Sequence, residues 1–152
     1  MKEANTIYKQ KPVKEVAKKF GKGYVRKNRM NCLTFTIDSA GTRTIDDAIT
    51  VEKIDEHTLK VGVHISDPTD VVKIGSQMGK EAQLRVENKY IGKGKNFMKP
   101  MLPREIAADL CSLKPDQERR AITVWFYIND EGLIILDHKN FKPKYERTWI
   151  KS

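Results

Sequence analysis

Thr36-Ile37-Asp38-Ser39-Ala40-Gly41-Thr42-Arg43-Thr44-Ile45-Asp46-Asp47-Ala48 carries the chain out of one strand and into the next. Leu33 to Ile37 is an apolar, β-prone run, and Asp38 to Gly41 has the composition of a turn. Eight residues after Asp38 the chain reaches two adjacent carboxylates, Asp46 and Asp47. Adjacent residues at the head of a strand point to opposite faces. One aspartate is therefore placed to join Asp38 on a shared cation, while the other faces a water or a neighbouring group. Carboxylate oxygens are hard donors, and a site with few of them suits magnesium, which keeps several waters and takes substrate phosphates. Such sites activate water for phosphodiester hydrolysis. The other reading of three aspartates around a loop is turn formation and capping.

Working outward, Ala48 to Lys53 reads as a strand, Asp55 to His57 as a turn, and Thr58 to Ile65 as the second arm of a hairpin. Ser66, Asp67 and Pro68 end it, and Asp70 to Ile74 forms a helical turn. Ser76 caps a helix running to about Tyr90. Ile91 to Lys99 is a glycine- and lysine-rich loop, read either as a surface loop or as a phosphate contact through Lys93 and Lys95. It lacks the spacing of a nucleotide-triphosphate loop. Pro103 starts a short helix. Ala121 to Asn129 and Leu133 to about Phe141 form a closing hairpin around Asp130, Glu131 and Gly132. The predicted class is α+β: a mixed or antiparallel sheet with helices packed on it.

Charge is unevenly placed along the 152 residues. Residues 1–30 hold ten basic and two acidic side chains, a surplus of eight. Residues 31–152 hold 19 basic and 18 acidic, a surplus of one. A basic arm thus precedes a nearly neutral body. Pro12 and the spacing of Val13, Val16, Ala17 and Phe20 predict a short amphipathic helix in the arm, with Lys11, Lys14, Lys18 and Lys22 on its other face. These lysines, with Arg26, suit a polyanion such as RNA, because each cation that meets a phosphate releases counterions. A solubilising tail, an arm packed on the body, or an acidic protein or membrane surface are the other readings.

The length predicts one domain. No apolar run approaches the ~20 residues of a membrane helix. The charged N-terminus lacks the apolar stretch of a secretory signal, so a cytoplasmic protein is expected. Cys32 and Cys111 have no metal-binding spacing and read as reduced core thiols.

The wording of several segments resembles the RNB family, the RNase II and RNase R exoribonucleases. TIDSAGTRTIDDAI is similar to its catalytic aspartate segment, and VGVHISDPTDVVKIGS (61–76) to the strand and turn that follow. GKEAQLRVENKY (79–90) resembles its Ala-x-x-Arg-x-x-x-x-Tyr helix, and MLPREIAADLCSL (101–113) its Met-Leu-Pro segment. The likeness spans about residues 31–146. It implies magnesium-dependent, 3′-to-5′ hydrolysis of single-stranded RNA. Asp38 and Asp47 would ligate the metal, Asp46 would be the critical acid, and Tyr90 would stack on a base; a packed tyrosine is the alternative for Tyr90. His64 reads as structural. Arg85 either bonds within the fold or reaches a phosphate.

Two departures from the family pattern stand out. Thr44 occupies a position where the family has a further Asp, removing a charge from the site. The chain also ends near Trp149, whereas the family's catalytic domain continues through an arginine-rich half. A homodimer or a second chain completing the site is one expectation, with Leu133, Ile134, Ile135 and Trp149 as the contact. A non-catalytic module that binds RNA or regulates a full nuclease is the other.

Overall fold

The structure is a computed structural model, and it describes residues 25–90, 98–136 and 142–152. The expected arm helix, with Lys11, Lys14, Lys18 and Lys22, lies outside the described residues, as do Lys93 and Lys95.

A six-stranded sheet organises the fold. Its strands are β1 (Lys27–Asn28), β2 (Thr34–Phe35), β3 (Asp47–Lys53), β4 (Thr58–Ser66), β7 (Glu118–Asn129) and β8 (Lys144–Lys151), in the order β1-β8-β7-β4-β3-β2. Only the β1–β8 pairing is parallel, so the sheet is mixed. A separate ribbon pairs β5 (Lys89–Tyr90) with β6 (Met98–Lys99). Helices are few: among the described residues there is one α-helix, α1 (Gln77–Arg85), a 3₁₀ turn at Pro68–Asp70 and a π-helical turn at Ile106–Leu110. They gather at one end of the sheet, where Val71, Ile106 and Cys111 form a small core with Met78 and Leu102.

The β3–β4 hairpin follows the sequence closely, because its alternation and its turn are local signals. The two faces of the sheet differ. One carries Ala48, Thr50, His64, Ala121, Thr123, Trp125, Thr148 and Ile150, each at most 2% exposed. Leu113, fully buried, lies against its Ala48–Ala121–Ile150 end. A chain of buried hydroxyls crosses this face through five strands. Thr34 Oγ1 meets Thr50 Oγ1 at 2.7 Å, and Thr50 meets His64 Nε2 at 2.9 Å. His64 Nδ1 meets Thr123 Oγ1 at 2.8 Å, and Thr123 meets Thr148 at 2.6 Å. Burial lowers the His64 pKa to about 4, with nearby Arg29 acting the same way, so the ring is neutral and serves as the middle link. Trp125 stands edge-on to it and covers Gly62, where a Cβ would fall 2.6 Å from the indole. His64 is thus structural, as its strand position suggested.

The opposite face is apolar and only partly covered: Phe35, Val51, Ile65 and Ile122 are 39–47% exposed. Leu133 and Ile134 are exposed too, while Trp149 is half-buried under the Arg120 guanidinium.

Several boundaries depart from expectation. The helix capped by Ser76 ends at Arg85, because Val86 takes a positive φ of 66° and turns the chain into the ribbon. Tyr90 is therefore in a strand rather than at a helix end. Of the expected second arm of the closing hairpin, the described residues show one bridge, Ile134 to Ile128, residues 137–141 lying outside them, and β7 pairs with the later β8. Cys111 is buried as expected, and burial pushes its thiol up to about 11. Cys32 is half-buried instead, its thiol directed at Glu52 at 3.4 Å.

Arg26 is buried in the body of the domain. It was expected among the RNA-contacting cations of the arm, but it is 6% exposed and held inside the body. Its guanidinium reaches Asp67 at 2.6 Å, Asp70 at 2.8 Å and the Ala121 carbonyl at 3.1 Å. Lys27 and Arg29 likewise pair with the buried Glu146, at 3.2 and 2.7 Å. A cation buried against carboxylates is spent on the fold and not on phosphate.

Candidate active site

Asp46 and Asp47 sit at the head of β3, and the neighbouring backbone is tied from both sides. The Ile45 N–H donates to Ser112 Oγ at 3.0 Å, and the Leu113 N–H donates to the Ile45 carbonyl at 2.8 Å. The Ser66 N–H donates to the Asp46 carbonyl at 2.8 Å. Ser112 and Leu113 are fully buried, so the segment after the π-helical turn works as a clamp on the aspartate loop. That explains why two distant parts of the sequence, 36–48 and 101–113, belong together.

Asp38 follows β2 and precedes a tight turn in which the Thr42 N–H and hydroxyl both donate to the Ser39 carbonyl. All three aspartates are exposed. Partial burial raises the Asp46 pKa, and the negative charges of Asp47 and Asp38 raise it further. Mutual repulsion of this kind marks carboxylates that share a field, and a cation placed among them relieves it. The donor set is thus chemically suited to magnesium: hard oxygens only, on an open surface. Among the described residues, however, no group of three or more His, Cys, Asp or Glu side chains forms a ready coordination shell.

Beside the aspartates lies an ion cluster that sequence reading missed. Asp67 is 1% exposed and caps the 3₁₀ turn, accepting from the Thr69 N–H at 3.0 Å and the Thr69 hydroxyl at 2.6 Å. It also takes Arg26 and Arg147. Burial alone would raise its pKa, but the Thr69 hydrogen bonds and Arg26 outweigh it and hold the carboxyl at about 2. Asp70 collects Arg26, Arg120 and Arg147. No local pattern announces this cluster, since Arg26, Arg120 and Arg147 all lie more than 40 residues from the aspartates they meet.

Tyr90 lies in the ribbon at the far end of α1, and Arg85 settles one open choice. Its guanidinium donates to Glu81 and, at 2.9 Å, to the Pro100 carbonyl, so Arg85 bonds within the fold and ties helix to ribbon. No helix among the described residues is long and apolar enough to cross a membrane.

The family model of the RNB domain matches residues 26–152, and the chain belongs to that family. Exoribonuclease 2 of Psychromonas ingrahamii is 39% identical over 118 residues, covering 78% of this chain and 17% of the relative. Ribonuclease R 2 of Lactococcus lactis is 36% identical over 110 residues, covering 72% of this chain and 16% of the relative. The chain therefore spans about a sixth of these relatives. In structure, Mycoplasma genitalium RNase R in complex with ribose-methylated single-stranded RNA matches with a TM-score of 0.75. That match has 22% identity and covers 99% of this chain and 21% of that one. Yeast Ssd1, described as a pseudonuclease, matches at 0.68 with 21% identity, over 83% of this chain and 15% of that one. These structural likenesses establish the shared fold.

Proposed function

We propose that this chain takes part in exonucleolytic hydrolysis of single-stranded RNA, with Asp46 as its central acid. The observation that carries this reading is the raised pKa of Asp46 between Asp47 and Asp38, at a clamped strand head, in a member of the RNB family. Asp38 and Asp47 would hold magnesium with Asp46 beside them. When bound, the ion would supply charge neutralisation for the phosphate and a more acidic water. The chain's own contribution is positional: the Ser112 and Ser66 contacts hold the Asp46 backbone fixed, so its carboxylate is presented without reorganisation. With Thr44 in place of a further carboxylate, affinity for the ion is expected to be weak. Tyr90 would offer a face to any base. The lysines of residues 1–24 would supply sequence-independent attraction to RNA. A second chain, a copy of this one or another protein, would complete the site.

The test is incubation of the purified protein with 5′-labelled single-stranded RNA and magnesium beside an Asp46→Asn variant. Magnesium-dependent shortening from the 3′ end, lost in the variant, is the expected result. RNA binding with no product in either protein would refute catalysis and leave a binding module. Mass in solution, with and without RNA, tests assembly.

A further inference from the structure

On the partly covered face of the sheet, one row of opposed residues runs Ile65, Ile122, Arg147 across β4, β7 and β8. Four residues along β4, a second row on the same face holds Val51, Val61 and Phe126. Ile65, Ile122 and Val51 are 47%, 41% and 39% exposed, so the strip between the rows is apolar and open. At the rise of a strand the rows are about 13 Å apart. Arg26, one residue before the Lys27–Thr148 pair, stands beside Arg147, and both guanidiniums meet Asp67 and Asp70. The described chain therefore joins the sheet at a corner of this face, and residues 1–24 lead into that corner.

Within those residues Val13, Val16, Ala17 and Phe20 fall inside a helical arc of roughly 100°, the width of a core-facing stripe. Lys11, Lys14, Lys18 and Lys22 fall opposite it. A helix over Pro12 to Phe20 has a length of about 13 Å, which matches the spacing of the two rows. Gly21 to Tyr24 reach at most about 13 Å, and Ile122 lies two strand spacings, about 10 Å, from β1. We propose that residues 12–20 dock as a helix along β4 and β7, their apolar side covering Ile65, Ile122 and Val51, with Phe20 at the arginine corner. This segment is favoured over a second copy because a tether of four residues holds it at an effective concentration on the order of millimolar. Its C-terminal carbonyls then lie nearest Arg26, Arg120 and Arg147, the sign that a helix dipole favours. The four lysines point away from the sheet, so they form a fixed ridge and not a free tail. The contact is apolar and forms without RNA.

Hydrogen exchange of the full chain, without RNA, compares wild type, Phe20→Ser, Ile122→Thr and the double variant. So short a helix is marginal alone in water, so protection of the amides of residues 14–20 reports docking. In wild type they should exchange at least about tenfold more slowly than unprotected amides. Each single variant should remove most of that protection and bind a hydrophobic dye at the uncovered face. The double variant should lose no more, since both changes delete one contact. Protection should persist from about 50 to about 500 mM salt, where an ionic contact is screened. Ile122→Thr keeps a β-branched residue in its strand, and slow exchange in β4 and β7 checks that the sheet is intact. Should that variant unfold, Phe20→Ser, outside the sheet, decides alone. Unprotected amides at 14–20 in wild type overturn the docking. Protection that survives Phe20→Ser or a folded Ile122→Thr, or that disappears with salt, overturns it too. A wild type of two-chain mass that Ile122→Thr reduces to one, with those amides unprotected in both, assigns the face to a second copy instead.

Discussion

Arg26 donates to Asp67 at 2.6 Å, with the two side chains 4% and 0% exposed. The residue contributed by the basic N-terminal segment is thus the counter-ion of a buried carboxylate next to Ser66, which holds the Asp46 carbonyl. Removing Arg26 takes away the shortest of Asp67's ion pairs and leaves the buried carboxylate to Arg147 at 3.2 Å and the Thr69 hydrogen bonds. Arg26→Met is expected to destabilise the domain by about 1–3 kcal/mol, read as a fall in the urea midpoint. A loss under about 1 kcal/mol would put Arg26 on the surface.

Stability should decline as pH falls below neutrality, in two stages. His64 has a folded pKa near 4, below the 6.5 of an unfolded histidine, so between these values the unfolded chain binds the proton more readily. Asp67 and Glu146, both near 2 when folded, then withdraw their contributions as pH drops from about 4.5 towards 2. Urea midpoints at pH 7, 5.5 and 4.5 check the first stage, which His64→Gln should flatten. A midpoint that stays constant over that range would contradict the buried neutral ring.

The hydroxyl chain across the sheet makes a separable claim. Thr123→Val keeps the shape but leaves His64 Nδ1 without its partner, while the Thr148 hydroxyl keeps only the Ala121 carbonyl at 3.3 Å. Leaving buried polar groups unpaired costs about 1–3 kcal/mol. Thr123→Ser, which retains the oxygen, should recover most of that. Equal destabilisation by both variants would mean that the methyl group matters and the hydroxyl does not.

Gly62 lies under the Trp125 ring with no room for a methyl group. Gly62→Ala should lower stability by about 1–3 kcal/mol through overpacking and should weaken the native near-UV signal of Trp125. An unchanged melting temperature would show that the indole moves freely.

Asp46 should respond to its neighbours in metal-free solution. Burial is the larger cause of its raised pKa, so Asp47→Asn should lower it without restoring the ordinary value. Magnesium added to wild type should lower it as well. Carboxyl-carbon NMR titration reads both effects, and a pKa indifferent to both would separate the three aspartates electrostatically.

What the sequence disclosed and what it hid divide by distance along the chain. The β3–β4 hairpin was legible because alternation and turn lie within about twenty residues. The aspartate trio was legible as a motif, but the larger cause of the raised Asp46 pKa, its partial burial, was not. The clamp from Ser112 was not, since it depends on a partner 67 residues away. The ribbon was missed because Lys89–Tyr90 carries helix-compatible residues, and only Met98–Lys99 makes it a strand. Arg26 was assigned by its company in a basic run, and the carboxylates that claim it lie 41 and 44 residues on. Counting cations along a chain describes what is available and says little about where each is spent.

The parallel pairing of Lys27 with Thr148 joins segments about 120 residues apart. Closing so long a loop carries an entropic cost of about 4 kcal/mol, and a topology weighted to such contacts folds slowly. During synthesis β1 is made about 120 residues before β8, the strand it pairs with. Until then the apolar sheet face and the ion cluster beside the aspartates are both unfinished. Assembly of this domain therefore waits on its last strand, and the interval before it is when the nascent domain has most need of a chaperone.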